Sequence, residues 1–277
     1  MKHLYYLLLA CVCITSTTVN AQFSDSVHTV KQPFFKRITF DASNTGRTIL
    51  KTYSRPFHWQ KKQWFQFGGA IAISALASTA DKPIYEFFRD NPSGPLDDMA
   101  KVGDFLGQPE NNYPFMLTVW GAGVISNNDW LRDTGVMLFA SVTTSGLIQT
   151  ALKELSGRAR PRSGEGPYSF KPLDGGASYH SFPSGHTMLA LASAWILAHQ
   201  VKPLALKIVF YAVPVVTGLS RIYEGQHWFS DILLGSALGI ACAESVLKFY
   251  PKIKESRIGS LSFAPTNNGM GLVYSFK

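Results

Sequence analysis

From Trp64 onward, the chain consists of apolar helical stretches separated by short polar breaks. The apolar residues do not alternate with polar ones, as they would in half-buried strands, and the stretches are long enough for helices. Asp81-Lys82-Pro83 and the Asn-, Pro- and Gly-containing segment 91–95 are typical breakers. The pattern therefore predicts an all-α bundle of six helices, at about residues 64–80, 113–126, 134–155, 186–199, 204–219 and 231–249.

The two ends of the chain differ from this central domain, which we place at 61–250. Residues 1–21 have a basic start, an apolar run and small residues at the end, a pattern typical of a secretory signal peptide. A first membrane anchor is the alternative, although the run is shorter than the ~20 residues that cross a bilayer. Residues 22–60 are polar and lack a period, which predicts an N-terminal arm or linker. In the tail, 251–277, two short runs flank Asn267-Asn268-Gly269, which predicts a β-hairpin.

Composition and charge narrow the class of protein. Charged residues make up 16% of the chain and hydrophobic residues 46%, against ~25% charged in soluble proteins. These values exclude a disordered chain, and three cysteines exclude a disulfide scaffold or a Cys-rich zinc site. The net charge of +8 suits an anionic membrane surface, nucleic acid or an anionic substrate. The polar residues within the helices suit a membrane-spanning bundle and a globular one equally.

Three polar clusters lie at the ends of these apolar helices. They are Lys153-Glu-Leu-Ser-Gly-Arg-Ala-Arg-Pro, Pro183-Ser-Gly-His and Ser220-Arg-Ile-Tyr-Glu-Gly-Gln-His-Trp-Phe-Ser-Asp. Arginine can hold an oxyanion with two parallel hydrogen bonds, and a helix start that contains glycine offers free N–H groups to an anion. The candidate phosphate-binding residues are therefore Lys153, Arg160, Ser184, Gly185 and Arg221.

The same clusters contain candidates for catalysis. His227 and Asp231 are four residues apart and share one face if that segment is helical, so the carboxylate could hold one ring nitrogen and leave the other to attack phosphorus. His186 is suited to protonating a leaving alkoxide. Taken singly, the clusters also fit an interfacial basic patch, an ordinary helix start and a surface contact. One phosphate site explains all three together.

These motifs resemble those of the type 2 phosphatidic acid phosphatase and vanadium haloperoxidase superfamily. The family pattern is Lys, six residues and Arg-Pro; then Pro-Ser-Gly-His; then Ser-Arg, five residues, His, three residues and Asp, and the chain matches every position. The resemblance covers roughly residues 64–249 and implies a six-helix bundle of that kind. It implies that His227 is the nucleophile that forms a phosphohistidine, that Asp231 orients it, and that His186 is acid and then base. It also implies no metal and no other cofactor, because fixed cations supply the positive charge.

Ser181-Phe182 before the second motif, together with six helices, is more similar to the lipid phosphatase branch of this family. We therefore expect a phosphatase that acts on a phosphorylated lipid, with a broad-specificity periplasmic acid phosphatase acting on small phosphate esters as the alternative. A vanadium haloperoxidase and a non-catalytic envelope protein are further alternatives. No motif that reads a nucleic-acid groove is present, so we expect no nucleic-acid partner.

The signal peptide predicts an exported, membrane-associated protein with its site facing the periplasm. A cleaved signal followed by six crossings would instead place the end of the third helix in the cytoplasm. A periplasmic site therefore requires a periplasmic bundle, or a helix that does not cross. The segment 162–179 lies between two site clusters, and its position makes it a candidate gate.

Overall fold

The computed structural model describes residues 34–258, 262–266 and 269–273. The predicted signal peptide, 1–21, lies outside the described residues. The helices are α1 (Phe34–Ser54), α2 (Lys61–Ala77), α3 (Asp81–Asp90), α4 (Gly94–Gly107), α5 (Pro109–Ser126), α6 (Asp129–Ser156), α7 (Gly185–Gln200), α8 (Leu204–Tyr223) and α9 (Phe229–Ile258). Short 3-10 helices occur at Arg55–His58, Ser78–Ala80, Pro161–Ser163 and Ala177–Tyr179.

The described residues are largely helical, as predicted, but the prediction of six helices is wrong. The six correspond to α2 and α5–α9, and the structure adds α1, α3 and α4. The predicted breakers are in fact helix starts. Asp81 lies in the first turn of α3, where its charge complements the helix dipole, and Pro95 lies in the first turn of α4, where its missing N–H costs nothing.

The expected arm or linker over 22–60 has to be corrected for residues 34–58, which are helical. Helix α1 packs against α6 and α9, and its buried residues are polar. Asp41 accepts hydrogen bonds from the Arg132 guanidinium, with an Nη2–Oδ1 distance of 2.8 Å, and from Trp120 Nε1 at 3.0 Å. Because the inward face is polar, the helix shows no apolar period in the sequence.

Two glycines let α9 approach α7 closely, and this contact positions the site. A Cβ on Gly235 would lie 2.7 Å from the carbonyl oxygen of Ser184, and one on Gly239 would lie 2.7 Å from that of Met188. Real side chains do not approach backbone so closely, so both positions require glycine in this packing. The start of α7 is thereby held directly against the first turns of α9.

Among the described residues, three helices are long and apolar enough to cross a membrane: α6, α8 and, within α9, Phe229–Ser256. Beyond the bundle, β1 (Ser262–Thr266) and β2 (Gly269–Val273) pair antiparallel, with Ser262 opposite Val273 and Thr266 opposite Gly269. The two strands overlap the runs from which the sequence predicts a hairpin, 258–264 and 271–276, and Gly269 of the predicted turn lies in β2. The residues that connect them lie outside the described part of the chain.

Candidate active site

All eight predicted site residues lie at one end of the bundle. Lys153 and Arg221 stand in the last turns of α6 and α8, while Gly185 and Asp231 stand in the first turns of α7 and α9. The connection between α6 and α7 covers this end and carries Arg160. The bundle thus brings together three clusters that are far apart in sequence.

Two of the three cations are fixed by hydrogen bonds and ion pairs. Arg160 donates from Nε to the Ala177 carbonyl at 2.8 Å and from Nη1 to the Gln226 side chain. Arg221 is buried, and its Nη1 lies 2.7 Å from Asp104 Oδ1. Burial, followed by the charges of neighbouring arginines, lowers the pKa of Arg160 to about 10. The site therefore holds clustered positive charge in a largely dehydrated place.

His227 is buried, with 1% of its surface exposed, and its Nδ1 lies 2.5 Å from the carbonyl oxygen of Ser181. Because a carbonyl only accepts, Nδ1 carries the proton and the lone pair is on Nε2. Burial lowers the pKa of His227 well below its ordinary value, and the charges of Lys153, Arg160 and Arg221 lower it further. The imidazole is therefore neutral at physiological pH, with one nitrogen available as a nucleophile.

Asp231 does not hold His227 in the way that the sequence predicts. Its Oδ2 lies 3.9 Å from His227 Nδ1, too far for a hydrogen bond. The same oxygen accepts from the Ser181 hydroxyl at 2.6 Å and from the Trp228 backbone N–H at 2.8 Å. The carboxylate therefore acts on His227 through Ser181, whose carbonyl receives the ring N–H.

The start of α7 lies beside Lys153. A Cβ on Gly185 would lie 2.3 Å from Gln149 Oε1 and 3.3 Å from Lys153 Nζ, so a side chain there would displace one of them. Ser184 is fully buried, and its backbone N–H donates to the Asp231 carbonyl at 3.1 Å. The next N–H groups, from Gly185 on, have no partner within the helix and can face an anion.

His186 lies at the open side of the site, where 28% of its side chain is exposed. Its Nε2 is 3.6 Å from Asp104 Oδ1, and the same carboxylate pairs with Arg221. Burial lowers the pKa of His186 to about 3, with further lowering by the charges of Arg221 and His227, while Asp104 raises it. The free site therefore holds a neutral imidazole there. Arg221 also pairs with Glu224, with an Nη2–Oε2 distance of 2.9 Å.

Sequence reasoning missed several residues of this site and treated Arg158 only as one basic residue among others. Those given no role were Asp81, Asp104, Ser181 and Gln226. Their contacts join distant parts of the chain, such as Arg158 and Asp81, which are 77 positions apart, so no spacing could reveal them. One signal in the sequence could have indicated a role for Arg158 in the site, namely its position inside the first motif, between Lys153 and Arg160. Across the described residues, no group of three or more His, Cys, Asp or Glu side chains is arranged to hold a metal ion.

Comparison with known proteins agrees with the three motifs. The family model of the PAP2 superfamily matches residues 134–255. Phosphatidylglycerophosphatase B of Bacillus subtilis is 33% identical over 153 residues, which cover 51% of this chain and 70% of that protein. Lipid A 1-phosphatase of Rhizobium etli is 36% identical over 107 residues, which cover 38% of this chain and 45% of that protein.

Among solved structures, that of Aquifex aeolicus LpxE aligns with a TM-score of 0.49 and 22% identity, covering 61% of this chain and 94% of that one. The chain spans less than half the length of the lipid A 1-phosphatases that it matches. The family match contains all three motifs, and the Bacillus relative is covered over more than two thirds of its length. By these matches the chain belongs to the PAP2 superfamily, the type 2 phosphatidic acid phosphatases that its motifs resemble.

Proposed function

We propose that this protein is a metal-independent phosphatase that removes phosphate from lipid monoesters or pyrophosphates through a phosphohistidine on His227. One observation carries the proposal: the buried imidazole of His227 has its Nδ1 bound to a carbonyl, and the charges of Lys153, Arg160 and Arg221 act on it. A neutral ring with one free nitrogen, surrounded by fixed cations, suits attack on an anionic phosphate.

In the first step, the Nε2 lone pair of His227 attacks phosphorus and an N–P bond forms. The P–O bond to the leaving group breaks, and its electron pair stays on that oxygen, which receives a proton from His186. A bound phosphate offsets the charge of Arg221, which otherwise lowers the pKa of His186. Substrate binding therefore allows His186 to take up the proton that it then donates.

In the second step, water attacks the phosphohistidine. His186, now neutral, takes a proton from that water as the new P–O bond forms. The N–P bond breaks and its electron pair returns to Nε2 of His227, and the free enzyme is restored when inorganic phosphate leaves and His186 gives up its proton to solvent. The cations at Lys153, Arg160 and Arg221 offset the charge on the phosphoryl oxygens in both steps, as Mg²⁺ does in other phosphoryl transfers.

A lipid substrate and a membrane location are supported by the relatives and by the surface of the bundle. Both curated relatives described above are phosphatases whose names specify lipids. Helix α8 exposes large apolar side chains to the outside of the bundle: Leu204, Ile208, Val209 and Val215. A surface of this kind fits hydrocarbon better than water. With the predicted signal peptide, we place the site on the periplasmic side.

The test is phosphate release by the detergent-purified full chain in the presence of EDTA, compared with His227→Ala. Phosphatidate, an isoprenoid pyrophosphate and a soluble aryl phosphate are offered in parallel. We expect release that EDTA does not affect, that is fastest on a lipid, and that His227→Ala abolishes. Equal rates on the soluble ester would point to a broad acid phosphatase. No release by a folded chain that binds vanadate would overturn the proposal.

A further inference from the structure

Arg158 differs from the other basic residues of the site because its guanidinium nitrogens Nε, Nη1 and Nη2 all donate hydrogen bonds to acceptors of the protein. Its Nη1 lies 2.6 Å from Asp231 Oδ1, its Nη2 lies 2.7 Å from Asp81 Oδ2, and its Nε donates to the Pro167 carbonyl at 2.9 Å. The arginine side chain is 3% exposed and the two carboxylates 0%. These contacts direct the guanidinium to the protein and not to a substrate phosphate.

Asp81 lies at the start of α3, yet it binds the first turn of α9. Its Oδ1 accepts from the Ser230 backbone N–H at 2.8 Å, and its Oδ2 accepts from the Ser230 hydroxyl at 2.6 Å. Ser74, near the end of α2, donates to the Ser230 carbonyl at 2.9 Å. The junction of α2 and α3 is thus fastened to the residue that directly precedes Asp231.

A continuous series of hydrogen bonds therefore joins Asp81 to the nucleophile. It runs from Asp81 to Arg158, from Arg158 to Asp231, from Asp231 to the Ser181 hydroxyl, and from the Ser181 carbonyl to His227. A buried ion triad adds little stability over well-packed apolar side chains, whereas its fixed geometry restricts the groups that it contacts. Asp81 lies outside residues 134–255, the part of the chain that matches the family model.

We propose that Asp81 and Arg158 are positioning residues for phosphoryl transfer: they hold Asp231 and Ser181 so that Nε2 of His227 is aligned for attack. This inference rests on the proposed phosphatase function. Neither residue binds the substrate. Their loss therefore slows formation of the phosphohistidine and leaves the binding of a phosphate-like anion largely intact.

Asp81→Asn tests the inference because it keeps the shape of the side chain and removes its charge. We expect kcat to fall about ten- to hundredfold, while KM and the dissociation constant for sulfate, an anion that forms no bond to His227, change by less than about threefold. Arg158→Lys keeps the charge but cannot contact Asp231 and Asp81 at the same time through two guanidinium nitrogens. It should likewise lower kcat and leave KM nearly unchanged. The double variant should be about as slow as the slower single variant, because both act through one connection.

Asp41→Asn is the matched control. Asp41 is also a buried aspartate paired with an arginine, but it lies on α1 against Arg132. It should lower thermal stability and leave kcat unchanged. If Asp81→Asn does not fold, Ser230→Ala removes one of the hydrogen bonds to Asp81 with less disturbance and should lower kcat with unchanged sulfate binding.

Two results would overturn the inference. One is an unchanged kcat in folded Asp81→Asn and Arg158→Lys. The other is an equal loss of kcat and of sulfate affinity, which would mean a general collapse of the site. A wild-type chain that releases no phosphate would overturn the proposed function as well, so the failure of the two proposals can be told apart.

Discussion

His227 donates its Nδ1 proton to the backbone carbonyl of Ser181, and not to a carboxylate. A carbonyl oxygen belongs to the main chain, so the tautomer of the proposed nucleophile is set by the fold of the segment before α7. The side chain of Asp231 reaches the same segment through the Ser181 hydroxyl. The proposed nucleophile is therefore oriented in two layers, the inner one built from backbone and the outer one from side chains.

The first prediction concerns the outer layer. Ser181→Ala removes the hydroxyl that donates to Asp231 but keeps the carbonyl that holds His227. We expect kcat to fall about ten- to hundredfold, as in Asp81→Asn, against at least about a thousandfold for His227→Ala. Single-turnover measurement of phosphohistidine formation checks this. An equally large loss in the two variants would show that the hydroxyl, and not the carbonyl, fixes the imidazole.

The second prediction concerns Gly185. In Gly185→Ala the new Cβ would lie 2.3 Å from Gln149 Oε1 and 3.3 Å from Lys153 Nζ, so the Gln149 side chain must move and the Lys153 ammonium must shift by a few tenths of an ångström. We expect kcat/KM to fall about ten- to hundredfold. Gly146→Ala on α6 is the control, since its Cβ would meet only a Leu189 methyl at 3.9 Å. The measurement is kcat/KM of both variants, and equal values would contradict the close approach of Gly185 to Gln149 and Lys153.

Asp104 gives the third prediction. Its carboxylate pairs with Arg221 and raises the pKa of His186. In Asp104→Asn the site becomes more positive, so sulfate should bind about tenfold more tightly at about pH 8, where His186 is neutral. The same change makes protonation of His186 harder and should lower kcat. Calorimetric sulfate titration and steady-state kinetics test the pair of effects, and weaker sulfate binding would refute this role for Asp104.

The fourth prediction concerns pH. The pKa of His186 in the free site is lowered to about 3, by burial first and then by the charges of Arg221 and His227. A bound anion raises this pKa, so binding takes up a proton at pH values between the free and the bound pKa. Sulfate remains a dianion from about pH 8 to about pH 5, and its affinity should increase as the pH falls through that range. His186→Asn should flatten the dependence, and an affinity that falls with decreasing pH would contradict it.

The fifth prediction tests the packing of α1. Asp41 is 3% exposed and Arg132 12%, and the two side chains join α1 to α6. Asp41→Ala leaves Arg132 with Asp129 on its own helix and no partner on α1, and it should lower the free energy of unfolding by about 2–3 kcal/mol. The midpoint temperature of thermal unfolding reports this loss. The kcat measured below that temperature should remain unchanged. A midpoint equal to that of the wild type would mean that α1 contributes little to the bundle.

The sequence indicates the site better than it indicates the helices around it. Three motifs with fixed spacing predict all eight residues that the bundle brings to one end. Helix α1 escapes notice because its buried residues, such as Asn44 and Thr48, are polar. Helices α3 and α4 escape notice because Asp81 and Pro95 mark helix starts as readily as helix breaks.

The contacts within the site could not be predicted from the sequence for a different reason. The spacing of His227 and Asp231 places both on one helix face only if that segment is helical, but His227 precedes α9, which begins at Phe229. The direct hydrogen bond that the spacing favours is replaced by contacts through Ser181. The role of Asp104 depends on how α4 packs against α8, a tertiary contact for which the local sequence holds no signal. Residue types and spacing indicate which groups meet, and packing alone decides which oxygen each nitrogen contacts.

The contact between Asp81 and Ser230 also bears on when the proposed site is completed during synthesis. The two residues are 149 positions apart, so at about 5–20 residues per second a ribosome needs roughly 7 to 30 seconds between them. In the later part of that interval the nascent chain carries Lys153 and Arg160 but not the proposed nucleophile. Docking of α9 adds His227, Asp231 and the partner of Asp81 together, so the proposed site is completed in one late step.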